Sequence, residues 1–188
     1  MFSPDLLNTN PNTQVFRFCP SCGKDGLCPA SPKSFACPAC GFSFFLNCAA
    51  AAMALILDDQ DRLLVTRRRF DPGKGGLDLP GGFTEPGEGI QEALIREIRE
   101  ELNLEAKGLT YFCSVFNAYP YQQVIYPVTD MAFVCHIPKW QDLKPGDDVS
   151  EVLFIPVGQI DPERFAMASA RQTVSRFKEK FTVRTESP

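Results

Sequence analysis

The chain is predicted to be an α/β protein, a mixed β-sheet with a helix on each face, preceded by a small cysteine-knuckle module. Three observations predict it. Runs rich in Val, Ile, Phe and Tyr recur from Ala52 onward, two helical stretches separate them (one inside Gly81–Leu104, one over about 163–181), and two CxxCG turns lie within the first 45 residues.

A length of 188 residues suits one domain of ordinary size with a small appendage. The expected division is a loose polar arm over 1–14, the cysteine module over 15–48 and the main domain over 49–188. A net charge of −4 argues against a general polyanion binder, so phosphate recognition must come from a local site. The opening MFSPDLLNTNPNTQ has no basic-then-apolar pattern, and the longest apolar run, Cys48–Leu57, is far short of the ~18–20 residues that span a bilayer. A soluble, cytoplasmic protein without a membrane partner is expected.

In the module, Cys19-Pro-Ser-Cys22-Gly and Cys37-Pro-Ala-Cys40-Gly each present two thiolates from one tight turn, and together they supply the tetrahedral Cys₄ set that zinc prefers. A disulfide framework or a redox CxxC competes, but paired knuckles in a cytoplasmic-looking chain favour zinc. Cys28 has no CxxC partner; Cys48, Cys113 and Cys135 read as small buried hydrophobes. The module resembles a zinc ribbon, with Phe16, Phe18, Phe35, Phe42, Phe44 and Phe45 as its apolar wrapping and too small a core to fold without metal. Zinc ribbons also bind nucleic acids, yet only Lys24 and Lys33 are basic between Cys19 and Cys48. A structural role, or a subunit contact, is expected.

Ala52–Asp58 and Arg62–Arg69 read as strands joined in a hairpin by Asp59-Gln60-Asp61. Arg67, Arg68 and Arg69 precede a glycine-rich loop. Arg67 and Arg69 are candidates for an anionic pyrophosphate, although arginines on an edge strand also simply face solvent.

Next comes the stretch that organises the chain, Gly81 to Leu104. On a helix Glu97, Glu100 and Glu101 stand at i, i+3 and i+4 on one face, while Leu94, Ile98 and Leu102 form an apolar stripe roughly 120° away. Glu97 and Glu101 repel each other by ~0.2–0.5 kcal/mol, and a divalent cation reverses that sign. Oxygen-only ligands point to Mg²⁺ or Mn²⁺. The competing reading is a solvated face of i,i+4 salt bridges such as Glu92–Arg96.

The wider spacing is Gly82, five residues, Glu88, seven residues, then Arg96-Glu97-Ile98-Arg99-Glu100-Glu101-Leu102-Asn103-Leu104. It resembles the Nudix box, and the chain is identified as a member of the Nudix hydrolase family on that stretch. The one departure is Asn103, where the family has glycine; a helix-ending residue often adopts αL, which Asn tolerates. The resemblance implies an α/β/α sandwich, a cation held by Glu97, Glu100, Glu101 and the Gly81 carbonyl, Arg96 orienting the glutamates, and Glu88 supporting the loop.

After the box, Leu109–Phe116 and Val124–Ile137 read as strands. The loop between them carries Tyr119 and Tyr121, which either stack on a nucleobase or are loop aromatics. His136 and Trp140 read as structural or surface residues. Family members often draw a further acid, as ligand or base, from the region of Pro145–Glu151; Glu151, Asp147 and Asp148 are candidates in that order. Asp161 as N-cap and Pro162 start a helix over about 163–181.

The resemblance implies hydrolysis of a nucleoside diphosphate linked to another moiety, with Glu100, Glu101 or Glu151 as proton acceptor. Zinc ribbon followed by Nudix resembles the layout of the NADH pyrophosphatases, but their Ser-Gln-Pro-Trp-Pro-Phe-Pro run has no counterpart here. An ADP-ribose pyrophosphatase-like enzyme acting on ADP-ribose or a related ADP-sugar is therefore favoured over NADH or NAD. A nucleotide-sensing regulator whose ribbon binds a partner is the reading from another class. Many relatives are homodimers, so a homodimer is among the assemblies the resemblance allows.

Overall fold

The computed structural model describes residues 10–146 and 148–186, the last five by backbone alone. By internal contacts the chain divides into two units: Met1–Cys48 with Ala118–Pro127, and Ala49–Asn117 with Val128–Pro188.

In the first unit, β1 (Cys28–Ser31), β2 (Ser34–Ala36) and β3 (Ser43–Phe45) form an antiparallel sheet in the order β1-β2-β3. Phe35 is fully buried, with the rings of Phe16 and Phe44 centred 5.3 and 6.2 Å away. Phe18, Phe42 and Phe45, expected in the same wrapping, are exposed. Successive strand residues face opposite ways, so Phe44 and Phe45 cannot both meet Phe35. The described part of the expected loose arm is tied down: Asn12 is buried, its Nδ2 donates to the Ile125 carbonyl at 2.9 Å and its Oδ1 accepts the Ile125 N–H at 2.7 Å.

The second unit holds two sheets. β4 (Ala49–Ile56) lies antiparallel to β7 (Gly81–Phe83) and parallel to β9 (Val124–His136), with β8 (Lys107–Tyr121) outside β9. In the other sheet β5 (Arg62–Arg68) is central, between β10 (Val149–Pro156) and the short β6 (Leu77–Asp78). β5 is thus no edge strand. The expected β4–β5 hairpin reduces to one bridge, Leu57 to Leu63, because the two strands go to different sheets.

Strand alternation feeds two cores. Met53, Leu55, Leu63, Val65 and Ala132 pack in one cluster with Phe165, Val174 and Phe177. Ala52, Ala54, Ile56, Leu64 and Phe133 pack in the other with Leu94, Ile98 and Leu102. Helix α1 (Ile90–Leu102) covers the second cluster and α2 (Ala168–Glu186) the first, so the sheets are buried on both faces. Asp161 does cap a turn, accepting the Glu163 N–H at 3.0 Å, but that turn is the 3₁₀ stretch Pro162–Arg164, and the helix starts at Ala168.

The expected loop around Tyr119 and Tyr121 is strand. β8 continues to Tyr121 and turns into β9 through Gln122 and Gln123, both at positive φ (46° and 70°), as a two-residue hairpin turn demands. Cys48 is exposed and Cys113 half-buried; Cys135 is buried, which pushes its thiol up to about 12. His136 is exposed at the end of β9, and the Trp140 ring packs edge-on to Phe154 at 5.5 Å. Among the described residues no helix is long and apolar enough to cross a membrane.

Candidate functional site

α1 begins where the Gly89 N–H donates to Glu92 Oε2 at 2.7 Å, and it buries Ala93, Leu94, Ile98 and Leu102. It ends at Asn103 in the αL conformation (φ 53°, ψ 37°), whose N–H donates to the Arg99 carbonyl and whose Nδ2 donates to Asp142 O, each at 2.9 Å.

The opposite face of α1 carries the acids. Glu101 Oε2 accepts the Gly81 N–H at 2.9 Å. Gly81 sits in β7 at φ +139°, where a Cβ would collide with the Ala52 carbonyl oxygen. Gly82 presses against Glu97: a Cβ there would meet Oε1, with Cδ at 2.6 Å. The two glycines thus let the strand edge and two carboxylates share one small space.

Arg96 holds the remaining acids. Its Nε donates to Glu88 Oε1 at 2.7 Å and its Nη2 to Glu88 Oε2 at 3.1 Å and Phe83 O at 3.0 Å. Nη1 reaches Glu97 Oε1 at 2.9 Å and Glu100 Oε2 at 3.0 Å. Burial pushes the Glu97 carboxyl up, Arg96 pulls it down, and the charges of Glu100 and Asp148 push it up again, leaving it raised. Burial likewise pushes Glu101 up, to about 8, opposed by the Gly81 amide and aided by Glu97, Asp78 and Asp148. Such crowding of carboxylates on oxygen-only groups is the chemistry a hard divalent cation relieves, so the residues present fit one. Glu97, Glu100 and Glu101 do not close into a preformed ligand cage, since Glu97 and Glu100 are turned onto Arg96.

The other expected site residues have partners of their own. Arg67 and Glu151 face each other across the β5–β10 ladder and pair, Nε to Oε2 at 2.8 Å, and Arg67 Nη1 also donates to Gly75 O at 2.8 Å. Arg69 Nη2 donates to Val149 O at 2.6 Å. Arg67 and Glu151 brace the sheet because complementary charges meet in register, a pairing that chain spacing does not reveal. Tyr119 and Tyr121 belong to the first unit. The charge of Asp148 helps to raise both Glu97 and Glu101; Asp147 lies outside the described residues. Gly146 escaped the sequence reading: a Cβ on it would run into the Glu100 carbonyl oxygen.

In the first unit the Sγ atoms of Cys19, Cys22, Cys37 and Cys40 all lie within 4.8 Å of one another, with Cys19–Cys40 and Cys22–Cys37 at 3.8 Å. That separation is far beyond a disulfide's ~2.05 Å. It matches the edge, about 3.8 Å, of a tetrahedron of thiolates ~2.3 Å from zinc. The two knuckles are built alike. Gly23 N–H donates to Cys19 O at 2.8 Å and Gly41 N–H to Cys37 O at 2.9 Å, with φ of 70° and 76° at the two glycines. Burial pushes the Cys37 thiol up, but the Cys40 and Ala39 amides and the neighbouring thiols outweigh it and bring it down to about 7, whereas the Phe42 amide's pull on Cys40 is outweighed by its neighbouring thiols and burial, which push it up to about 12: without metal the thiols share one negative charge. Cys28 stays outside the set, its Sγ 3.2 Å from Gly26 O.

An acidic helix laid against a Gly-Gly strand edge, on a mixed sheet covered by helices, defines the class of fold. The chain belongs to the Nudix family, whose NUDIX domain model matches residues 48–177. It is 34% identical over 113 residues to an ADP-ribose pyrophosphatase of Methanocaldococcus jannaschii, covering 59% of this chain and 64% of that protein. It is 28% identical over 161 residues to an NAD-capped RNA hydrolase NudC of Pseudomonas fluorescens, covering 86% of this chain and 55% of that one. The chain therefore spans less than two thirds of the length of these curated relatives. A NUDIX hydrolase structure from Nitrosomonas europaea matches with a TM-score of 0.69 at 20% identity over 89% of this chain and 93% of that one. The NUDIX domain of Shewanella oneidensis NrtR, solved with ADP ribose, matches with a TM-score of 0.57 at 19% identity over 72% and 89%. These structural likenesses concern the fold.

Proposed function

We propose that the chain is a metal-dependent Nudix pyrophosphohydrolase that cleaves the pyrophosphate bond of a nucleoside diphosphate linked to another moiety, with ADP-ribose or a related ADP-sugar as substrate. The observation that carries this is the buried Glu101 carboxylate beside Glu97, held at the strand edge by the Gly81 amide at 2.9 Å. The Methanocaldococcus relative supports the substrate class. In this reading Glu97, Glu100, Glu101 and the Gly81 carbonyl hold Mg²⁺ or Mn²⁺, which when bound lowers the pKa of a coordinated water and offsets diphosphate charge. Arg96 orients Glu97 and Glu100, and Glu88 fixes Arg96. Glu100, Glu101 and Glu151 are the carboxylates proposed to take the water's proton; Glu100 is held by Arg96 and Glu151 by Arg67, so either must leave its arginine to do so.

Hydrolysis of NADH or of NAD-linked substrates is the second reading. The match to the NudC relative spans 161 residues, more than the chain after Cys48 supplies, so it reaches into the cysteine module. We also propose that this module holds one structural zinc on Cys19, Cys22, Cys37 and Cys40, that the protein works in the cytoplasm, and that a homodimer is among the assemblies open to it.

The test is hydrolysis of ADP-ribose, NADH, NAD⁺ and nucleoside triphosphates with Mg²⁺ or Mn²⁺ by wild type, Glu100→Gln and Glu101→Gln. Turnover of ADP-ribose that falls at least roughly 100-fold in both variants is expected. Preference for NADH selects the second reading, and no turnover of any compound sinks the hydrolase reading in favour of a nucleotide sensor.

A further inference from the structure

The tip of the β8–β9 hairpin projects past β4. The two strands meet from Ala49–Val128 to Ile56–Cys135, so Val124–Pro127, at the start of β9, run ahead of the first rung. In an antiparallel hairpin alternate residues turn their N–H and C=O away from the partner strand, and those groups need another neighbour. At Ile125 that neighbour is a single side chain. Asn12 Nδ2 donates to Ile125 O at 2.9 Å and Asn12 Oδ1 accepts the Ile125 N–H at 2.7 Å, the same exchange of two bonds that a residue on an adjoining strand makes.

Asn12 is itself held by the cysteine module. Its N–H donates to Asn10 Oδ1 at 3.0 Å, and Asn10 Nδ2 donates to Ser31 O at 3.0 Å and Ser34 O at 3.4 Å, across the turn between β1 and β2. On the other side Asn12 O accepts the Val15 N–H at 3.0 Å, and Phe16 follows with its ring 5.3 Å from that of Phe35 and 5.4 Å from that of Phe44. Asn12 is 2% exposed, and an amide buried that deeply is tolerated because it is bonded. The module's buried cluster is Cys19, Leu27, Phe35 and Cys37. Two of these four are candidate zinc ligands, so a bound metal is part of what keeps Phe35, and the turn beside it, in place.

We propose that Asn12 is a positioning residue that makes the order of the β8–β9 hairpin tip depend on the metal: with zinc on Cys19, Cys22, Cys37 and Cys40 the module presents Asn12 to Ile125 in place of a strand, and loss of zinc releases the tip. The proposal rests on the structural zinc proposed above. The module thereby acts on a segment 113 residues further along the chain. Tyr119 and Tyr121, the rings offered as nucleobase contacts, lie on that same hairpin.

The experiment is amide hydrogen exchange of the full chain followed by NMR. Ile125 N–H reports the grip of Asn12, Gly41 N–H (to Cys37 O at 2.9 Å) reports the knuckle, and Ala54 N–H (to Pro80 O at 2.8 Å) reports the second unit. Zinc-loaded wild type should protect all of them. Asn12→Ala should keep its zinc and the protection of Gly41 and Ala54, while Ile125 exchanges roughly 10-fold faster for want of its partner. Zinc removal by a chelator, and Cys19→Ser, should speed Gly41 and Ile125 together and leave Ala54 unchanged. Ile125 as slow in Asn12→Ala as in wild type, or still slow once Gly41 has opened, overturns the proposal. If Asn12→Ala fails to fold, seen as fast exchange at Ala54, the chelator series on wild type decides. Wild type that carries no zinc brings down the zinc reading and this inference together. Zinc-loaded wild type whose Ile125 ignores the chelator removes only the inference.

Discussion

Arg96 grips Glu88 through two parallel hydrogen bonds, Nε to Oε1 at 2.7 Å and Nη2 to Oε2 at 3.1 Å, and its third nitrogen is left to hold Glu97 and Glu100. The fork geometry is what lets one side chain serve three acids from the loop and the helix at once. Both partners are well covered, with side chains 23% and 21% exposed.

Lysine keeps the charge of Arg96 but not the fork. Arg96→Lys should lose about 1–3 kcal/mol of stability, read as a lower urea midpoint. It should also lower kcat more than it changes KM, because Glu97 and Glu100 lose their orientation. Unchanged stability would show that the fork is not what holds the loop.

The Arg96 hydrogen bonds hold the Glu88 carboxyl below the ordinary glutamate value of 4.5, with the Glu85 amide helping and burial opposing. An acid with a depressed folded value stabilises the fold above its unfolded value, and that stability is lost as pH falls through the folded one. The stability difference between wild type and Glu88→Gln should therefore be full above pH 4.5 and shrink below it. Urea midpoints of both proteins across acidic pH check this; a difference that grows on acidification would reverse the sign.

Gly82 has little room beside Glu97, whose Cδ and Oε2 would lie 2.6 and 3.0 Å from an added Cβ. The obstacle is the end of a flexible side chain, so Gly82→Ala should fold and displace the Glu97 carboxylate. A thermal midpoint within a few degrees of wild type, with metal-dependent activity lower by about 10-fold, is expected. Full activity would mean that Glu97 works equally well from another position.

Four thiols within 4.8 Å of one another predict about one zinc per chain, lost in Cys19→Ser. The apolar core of that unit is small, with Phe35 as its fully buried aromatic residue, so removing the metal should unfold it. Elemental analysis together with limited proteolysis within residues 15–48 measures both. Metal-free protein that resists proteolysis there would show that the core suffices.

Much of the fold and part of the site were legible in the sequence because they depend on close neighbours along the chain. Helical periodicity alone puts Glu97, Glu100 and Glu101 on one face and Leu94, Ile98 and Leu102 on another. The αL ending at Asn103, φ 53°, follows from its place after the last helical turn. Both CxxCG knuckles are likewise built by hydrogen bonds that span only a few residues.

The tertiary structure decided the long-range partnerships. Arg67 and Glu151, 84 residues apart, became an ion pair because β5 lies between β10 and β6 rather than at an edge. Ala118–Pro127 joined the first unit, where Asn12 satisfies the Ile125 backbone. Gly146 met the carbonyl of Glu100, an approach no short-range pattern encodes. Spacing encodes which residues share a turn of helix or one face of a strand, since those are set by fixed rotations per residue. Which strands become neighbours, and in what register, is set by burial of whole faces against one another, and that is resolved only when the chain packs.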